Sequence, residues 1–498
     1  MGEVTENQSR DISKSWGTHL RDGAFWMIAL RWAIRLTGLV STVILARVLA
    51  PRDFGIVAMA MIVVGTLEMF NQTGQLLVLI RLPNPTKAHY DTAWTVSAMI
   101  GATLALIILL IAPFTVAYFH EPRVIPVMQC LALRALLGGF ENVGTIDFRR
   151  SLNFGRFFVY NTVPKLISFV VTVTAAFLFR NYWALVAGML TAQFAKLAMG
   201  YVMHPHRPWF TLSETRDIWS FSIWTFIRSI GAYLHGQIDQ IVVGGISGAA
   251  AMGRYAVASD VGASPSREIN EPMVAVVFPV MSRLLNDKQA LRDVYMHTLA
   301  WTAVICISTS VGVALVAEDM AHLVLGPKWA GIGPLMAWLS ISAGITGLSS
   351  GSYALFDALG LPHIGARMIW IRTIILAAAV IPVAFATRSL IDIAMVRSFA
   401  AATFLPGLYL VVGRLTGISW MDYLKCLWRP LTGALGMAGT ILAFNQLLPI
   451  SGNVRLFADV FMGAAAFFVV SLGLWLLSGR PPGPEKDFVA NVRRFSPI

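Results

Sequence analysis

The stretch ILARVLAPRDFGIVAMA, Ile44 to Ala60, is echoed later in the chain by VVGGISGAAAMGRYAVA, Val242 to Ala258. Each copy closes one apolar segment, crosses a short run of small residues and opens the next apolar segment at an aligned glycine, Gly55 or Gly253. Those two positions differ by 198, and the same offset sets Trp26 against Trp224 and Gln72 against Asn270. The pattern predicts a duplicated helical bundle, an architecture of membrane transporters.

Composition fixes the class around that duplication. Of 498 residues, 56% are hydrophobic and 13% charged, with a mean hydropathy of +0.68. A soluble domain carries about 25% charged residues, so this chain is read as a polytopic, all-α membrane protein. Apolar runs long enough to cross about 30 Å of hydrocarbon predict about 14 spanning helices. Their approximate cores are 23–48, 54–80, 90–118, 124–146, 156–179, 182–203, 215–245, 253–280, 292–317, 331–358, 364–386, 389–413, 424–448 and 456–478.

Charge gives the orientation. Taking alternate loops together with both tails collects 21 Lys and Arg on one side, among them Arg149, Arg150, Arg156, Arg207, Arg283, Arg292 and Lys425. The other side holds 8: Arg47, Arg52, Arg123, Arg180, Arg254, Lys328, Arg388 and Arg455. The positive-inside rule then puts both termini in the cytoplasm. It also explains the net charge of +12 without a nucleic-acid partner. The polar first twenty residues read as a retained tail rather than a cleaved signal. Cys130, Cys306 and Cys426 fall inside spans and read as packing residues.

The expected organisation is a cytoplasmic tail at 1–22, a first lobe of helices 1–6 at 23–203, a cytoplasmic linker at 204–213 and a second lobe of helices 7–12 at 214–413. Helices 13 and 14 at 414–478 and a second cytoplasmic tail at 479–498 follow. Six is even, so helix 7 enters the membrane in the same direction as helix 1 and the lobes are parallel repeats.

Function is sought in ionisable residues within the spans, where a charge at the bilayer centre costs roughly 2.5–3.5 kcal/mol on insertion scales. Helix 1 carries Arg31 and Arg35 on one face with Gly38 and Thr42. Helix 2 carries Glu68, Asn71, Gln72 and Gln75, and helix 4 carries Arg134, Gly138, Glu141 and Thr145. The second lobe answers with Arg228, His235 and Asp239 on helix 7 and Asp260, Ser264, Arg267, Glu268 and Glu271 on helix 8. Asp357, Arg372, Arg397, Lys165 and Lys196 add to them. Such stripes line a wet cavity enclosed by protein. Each charge also admits a structural reading, as an interhelical ion pair such as Arg134 with Glu141, or as a side chain snorkelling to the interface.

Arg31 and Arg35 are two permanent cations one turn apart, an arrangement suited to an anion between them, and arginine matches phosphate oxygens bidentately. A phosphate-bearing substrate is therefore expected, with Arg228 as a third contact. Pairing of these arginines with Glu68 or Asp239 stays open. Glu68, Gln72, Asp239, Asp260, Arg267 and Glu271 are expected to line the cavity, the acids among them as candidates for ion coupling. No phosphate loop, dinucleotide fingerprint, zinc-protease or serine-hydrolase motif occurs. Neither an enzyme, a cofactor nor a metal site is expected, since His120, His204 and His206 lack ligand spacing.

Five segments carry a resemblance: the entry ILARVLAPRDFGIVAMA, the DTAWTVSAMIGA start of helix 3, DFRRSLNFGRFF before helix 5, YWALVAGML in helix 6 and VLGPKWAGIGPLMAWLS before helix 10. In order and spacing the chain, from about Gly17 to Val412, resembles the polysaccharide transporter, or Wzx-type flippase, branch of the multidrug/oligosaccharidyl-lipid/polysaccharide (MOP) exporter superfamily. The resemblance implies two six-helix lobes facing each other in a V, with helices 1, 2, 7 and 8 lining the cavity. It implies a polyprenyl-(pyro)phosphate-linked oligosaccharide as substrate, moved across a bacterial cytoplasmic (inner) membrane for exopolysaccharide, O-antigen or capsule synthesis. Membrane lipids and polysaccharide polymerase or export proteins are the implied partners. Two other readings stand beside it. A cation-coupled drug exporter of the same superfamily would favour acidic stripes over the double arginine, and a membrane glycosyltransferase or polymerase would need a large extracytoplasmic loop, where these loops are short.

Overall fold

The computed structural model describes residues 26–27, 29–69, 79, 82, 85–215, 223–447 and 453–495. It is all-α: among the described residues there are helices and turns and no strand. The chain forms two compact units, Met1–Ser222 and Ile223–Ile498.

Unit 1 is built from α1 (Ala29–Val48), α2 (Pro51–Glu68), α3 (Lys87–Phe119), α4 (Val124–Gly139), the short α5 (Asp147–Arg150), α6 (Phe154–Phe179) and α7 (Trp183–Met203). Local chemistry sets the boundaries. Pro51 opens α2, where its missing N–H costs nothing, and the Asp53 carboxylate reaches back to the Ala50 N–H at 2.9 Å. Asn153 caps α6 by accepting from the Arg156 N–H at 3.1 Å. The α3 and α4 backbones meet at two glycines: a Cβ added to Gly101 would sit 2.7 Å from the Gly139 Cα. Only small residues permit that approach, the usual device for packing helices that lipid does not drive together.

Unit 2 begins with α8 (Ile223–Arg283), which is two helical arms joined at Gly248. There φ is 78° and ψ 178°, outside the helical region and accessible essentially to glycine alone. The small-residue loop expected between helices 7 and 8 is thus a break of one residue. Then come α9 (Lys288–Leu315), α10 (Ala317–Val324), α11 (Gly333–Gly347), α12 (Ser350–Ala358), α13 (Pro362–Thr387), α14 (Leu390–Thr416), α15 (Trp420–Leu447), α16 (Asn453–Leu477) and α17 (Pro484–Phe495). The apolar core of this unit gathers Tyr295, Phe356, Leu408, Tyr409 and Tyr423, with the Tyr409 and Tyr423 rings stacked at 4.6 Å.

Two expected spans are corrected in detail, and the contacts of the expected linker are seen. The span expected at 124–146 ends at Gly139, and the helical turns that follow, Val143–Arg150, are bent from it by 69°. The span expected at 331–358 is split into α11 and α12, where Ser349 and Ser350 turn their hydroxyls onto the Thr346 and Gly347 carbonyls, each at 2.6 Å. Such side-chain bonds compete with the helical ladder. The linker expected at 204–213 is docked on unit 1: Asn142 donates to the carbonyls of Gly200, His204 and His206 at 3.0–3.4 Å. The N–H groups of Trp209 and Thr211 bond Asp91 and Thr95 at 3.2 and 3.0 Å.

Nine of the described helices are long and apolar enough to cross a membrane, ten if the bent pair after Val124 counts as one span. The count of about 14 further requires the second arm of α8, α2, α11 with α12, and α15, and stays an expectation. The alternation of loops is nonetheless visible in the contacts. Arg52 pairs with Glu121 at 2.7 Å and Asp53 accepts from the Tyr182 N–H at 3.1 Å, gathering the junctions after α1, α3 and α6. Asp147 with His204 (3.3 Å) and Asp91 with His206 (3.4 Å) gather the alternate set. In unit 2, Arg292 with Asp422 (2.6 Å) and Arg429 with Glu485 (3.1 Å) do the same on one side, and Arg455 with Asp319 (3.5 Å) on the other.

Candidate functional site

Arg31 and Arg35 lie one turn apart in α1, both half-buried. Thr37 and Ser41 lie about 120° round that helix from the arginine pair by helical geometry. Those two hydroxyls line a cavity of about 420 Å³ inside unit 1, together with Arg134 from α4, Lys165 from α6, and Gln193 and Lys196 from α7. Two of its three cations are balanced by carboxylates. Glu68 pairs with Arg134 at 3.4 Å, and Glu141 accepts from Gln193 at 2.7 Å and pairs with Lys196 at 2.9 Å.

The expected Arg134–Glu141 pair is therefore not made. α4 stops at Gly139, so Glu141 leaves the helical stripe and turns toward α7. Glu68 becomes a structural partner of Arg134 instead of an unengaged cavity acid. Gln72, with Asn71 and Gln75, lies outside the described residues.

In unit 2, Arg228 is ion-paired with Asp357 of α12. Sequence reading named both residues but did not join them. Asp239 is fully buried and held by Arg397 of α14 and by the Tyr255 hydroxyl at 2.5 Å. Asp239, which the sequence reading names as a candidate for ion coupling, is thus held by an internal partner. The signal for this triad was Tyr255, which stands in the second copy where the first has Val57. Asp260, Arg267 and Glu271 are exposed on the second arm of α8, and Arg267 and Glu271 rim a second cavity, of about 250 Å³.

Outside the spans, the docked segment 204–213 carries a cluster that sequence reading did not join. His206 faces Asp91, with His204, Lys87 and Asp147 around it. Burial, outweighing the attraction of Asp91, holds its imidazolium pKa below the ordinary 6.5. Among the described residues no group of three or more His, Cys, Asp or Glu can hold a metal ion, and all three cysteines are free.

Residues 44–334, more than half of the chain, match the model of the family described as "Polysaccharide biosynthesis protein". The chain belongs to that family. Among its relatives is the succinoglycan biosynthesis transport protein ExoT of Rhizobium meliloti, 24% identical over 403 residues that cover 80% of this chain and 81% of ExoT. The lipopolysaccharide biosynthesis protein WzxC of Escherichia coli K12 is 22% identical, over 64% of this chain and 66% of WzxC. Among solved structures, the lipid II flippase MurJ in an inward closed conformation superposes with a TM-score of 0.72 at 13% identity, covering 91% of this chain and 98% of MurJ. An inward-facing multidrug resistance MATE transporter of the MOP superfamily gives 0.57 at 15% identity, over 78% of this chain and 96% of its own. This member of the polysaccharide biosynthesis protein family thus shares the MOP-superfamily fold.

Proposed function

We propose that this chain is a flippase that moves an oligosaccharide linked to polyprenyl (pyro)phosphate across a bacterial cytoplasmic membrane, supplying surface polysaccharide synthesis by alternating access. The observation that carries the reading is the family match over residues 44–334, with relatives named for polysaccharide biosynthesis and transport. The site chemistry agrees with it. Arg31 and Arg35 hold the phosphate headgroup, and the cavity bounded by Arg134, Lys165 and Lys196 offers cations and amide and hydroxyl groups suited to a polar, anionic glycan. Arg228 contributes less, because Asp357 already neutralises it.

Both termini lie in the cytoplasm on the distribution of 21 against 8 basic residues. The inside-negative potential assists outward movement, since each negative charge carried out releases roughly 2.3 kcal/mol per 100 mV. Asp260 and Glu271, exposed on α8, are the acids available to couple a proton or sodium ion to the reset. The drug-exporter reading fits less well, because Arg134, Lys165 and Lys196 line the cavity and the acids Glu68 and Glu141 are already spent on two of them.

Deletion of the gene, followed by analysis of lipid-linked intermediates, tests the proposal. Accumulation of the lipid-linked oligosaccharide on the cytoplasmic face with loss of surface polysaccharide is expected. Undiminished polysaccharide in the deletion strain rejects it.

A further inference from the structure

Unit 2 carries more buried positive charge than it balances. Arg372 of α13 is 4% exposed, yet its guanidinium meets hydroxyls and no carboxylate among the described residues: Ser349 at 3.2 Å, Thr346 at 2.5 Å and the neighbouring Tyr353, with the Phe404 ring centroid at 5.6 Å. Arg397 is the second arginine of this region, and Asp239 balances one of the two. His235 lies within electrostatic reach of both and brings no negative charge. A buried guanidinium without a carboxylate is costly unless something else supplies the counter-charge.

The same region holds polar atoms that lack partners. Asn270 Oδ1 and His235 Nδ1 are both buried and make no hydrogen bond among the described residues. Asn270 is 6% exposed, and its amide nitrogen is already spent on Ser350 at 3.0 Å. Native proteins leave few such atoms without a water or an ion to satisfy them. Beside them is the cavity of about 250 Å³, lined by Asn270, Thr346, Ser350 and Arg397 and rimmed by Arg267 and Glu271. It has room for one small ion and several waters, at about 30 Å³ of liquid volume per water.

Thr346 joins the two observations. Its oxygen accepts from Arg372, so its own proton is free to be donated into the cavity, and the arginine behind it polarises that donor. We propose that unit 2 contains a site for a small hydrated inorganic monoanion of the halide class, held in this cavity by the Thr346 hydroxyl and Arg397, with Arg372 supplying the balancing charge from behind. Water shared with the anion satisfies Asn270 Oδ1. The anion would neutralise the buried Arg372, so its binding and the stability of that unit are linked. This inference does not depend on the flippase reading.

The purified full-length chain is melted in detergent at constant ionic strength while sodium gluconate is replaced stepwise by sodium chloride or bromide, with inorganic phosphate as a separate arm. A saturable rise in melting temperature is expected for both halides, together with an anomalous bromide peak between Asn270, Thr346 and Arg397 in bromide-soaked crystals. The variants Thr346→Val and Arg372→Met are expected to weaken the apparent halide affinity at least tenfold, Thr346→Val doing so with every buried charge retained. Halide-independent melting of the natural chain overturns the proposal. So does an undiminished halide response in Thr346→Val, a response to phosphate in place of halide, or a bromide peak only elsewhere.

Discussion

At the scale of single residues, the sequence announces which charges enter the membrane and hides which of them pair. Arg134, Glu141, Asp239 and Arg397 all stand out as costly residues in apolar runs, but their partners depend on where α4 ends and how α8 and α14 are rotated. Neither is written in local spacing. The Asp239–Arg397 pair gives a direct test. Breaking a buried pair from one side strands a charge and costs about 3–5 kcal/mol, whereas replacing both partners by apolar residues of similar volume is close to neutral. Asp239→Leu and Arg397→Met are each expected to lower thermal stability sharply, and the double variant to recover most of the loss. Equal destabilisation by the single and double variants would refute the pairing. His206 gives a second test, outside the membrane. Its pKa is depressed by burial, so the contribution of the docked segment to stability is complete above the ordinary value of 6.5 and falls as pH drops below it toward the lower folded value. Limited proteolysis within 204–213 is expected to speed up between pH 7.5 and 5.5, and His206→Gln to flatten that dependence.

At the scale of elements, the helices themselves were legible because twenty-residue apolar runs leave the backbone no alternative in lipid. The breaks were less so. The duplication correctly marked the junction between helices 7 and 8, but the pattern of small residues could not say that one residue, Gly248, makes the whole break. Nothing lies within 4 Å of a Cβ built there, so Gly248→Ala costs conformational strain alone, about 1–3 kcal/mol. Gly253→Ala, at the position that the sequence alignment singled out, lies in regular helix and carries no such conformational cost. Melting curves of the two variants compare the break with the aligned glycine; a larger loss at Gly253 would place the hinge elsewhere. The structure also extends the duplication beyond what the sequence displays. α6 and α13, the fifth helix of each repeat, both end on an arginine in the left-handed conformation, Arg180 with φ 51° and Arg388 with φ 53°. Single-sequence comparison passes over that echo because the preceding residues share composition and not identity.

At the scale of the whole molecule, the repeated scaffold and the unrepeated charges carry different information. Two arginines on helix 1 stand against an arginine and an aspartate on helix 7, and the latter two are already neutralised by Asp357 and Arg397. In unit 1, Glu68 and Glu141 likewise balance Arg134 and Lys196, so the proposed headgroup contacts are Arg31 and Arg35, with Lys165 in the cavity wall. If an anionic headgroup is carried outward, a charge of about two gains roughly 4–5 kcal/mol per 100 mV of inside-negative potential, and cations that travelled with it would cancel the gain. Fixed arginines that rocked with their helix would move little charge, so each cycle would carry net negative charge outward across the membrane. In proteoliposomes with the potential clamped by potassium and valinomycin, outward movement of the lipid-linked oligosaccharide is expected to accelerate with inside-negative potential. Arg31→Ala with Arg35→Ala is expected to abolish movement at either polarity while leaving the protein folded. A rate indifferent to potential, with the double variant still inactive, would show that the cationic site returns across the field and would retain the arginines as headgroup ligands. Full activity in the double variant would remove them from the site altogether.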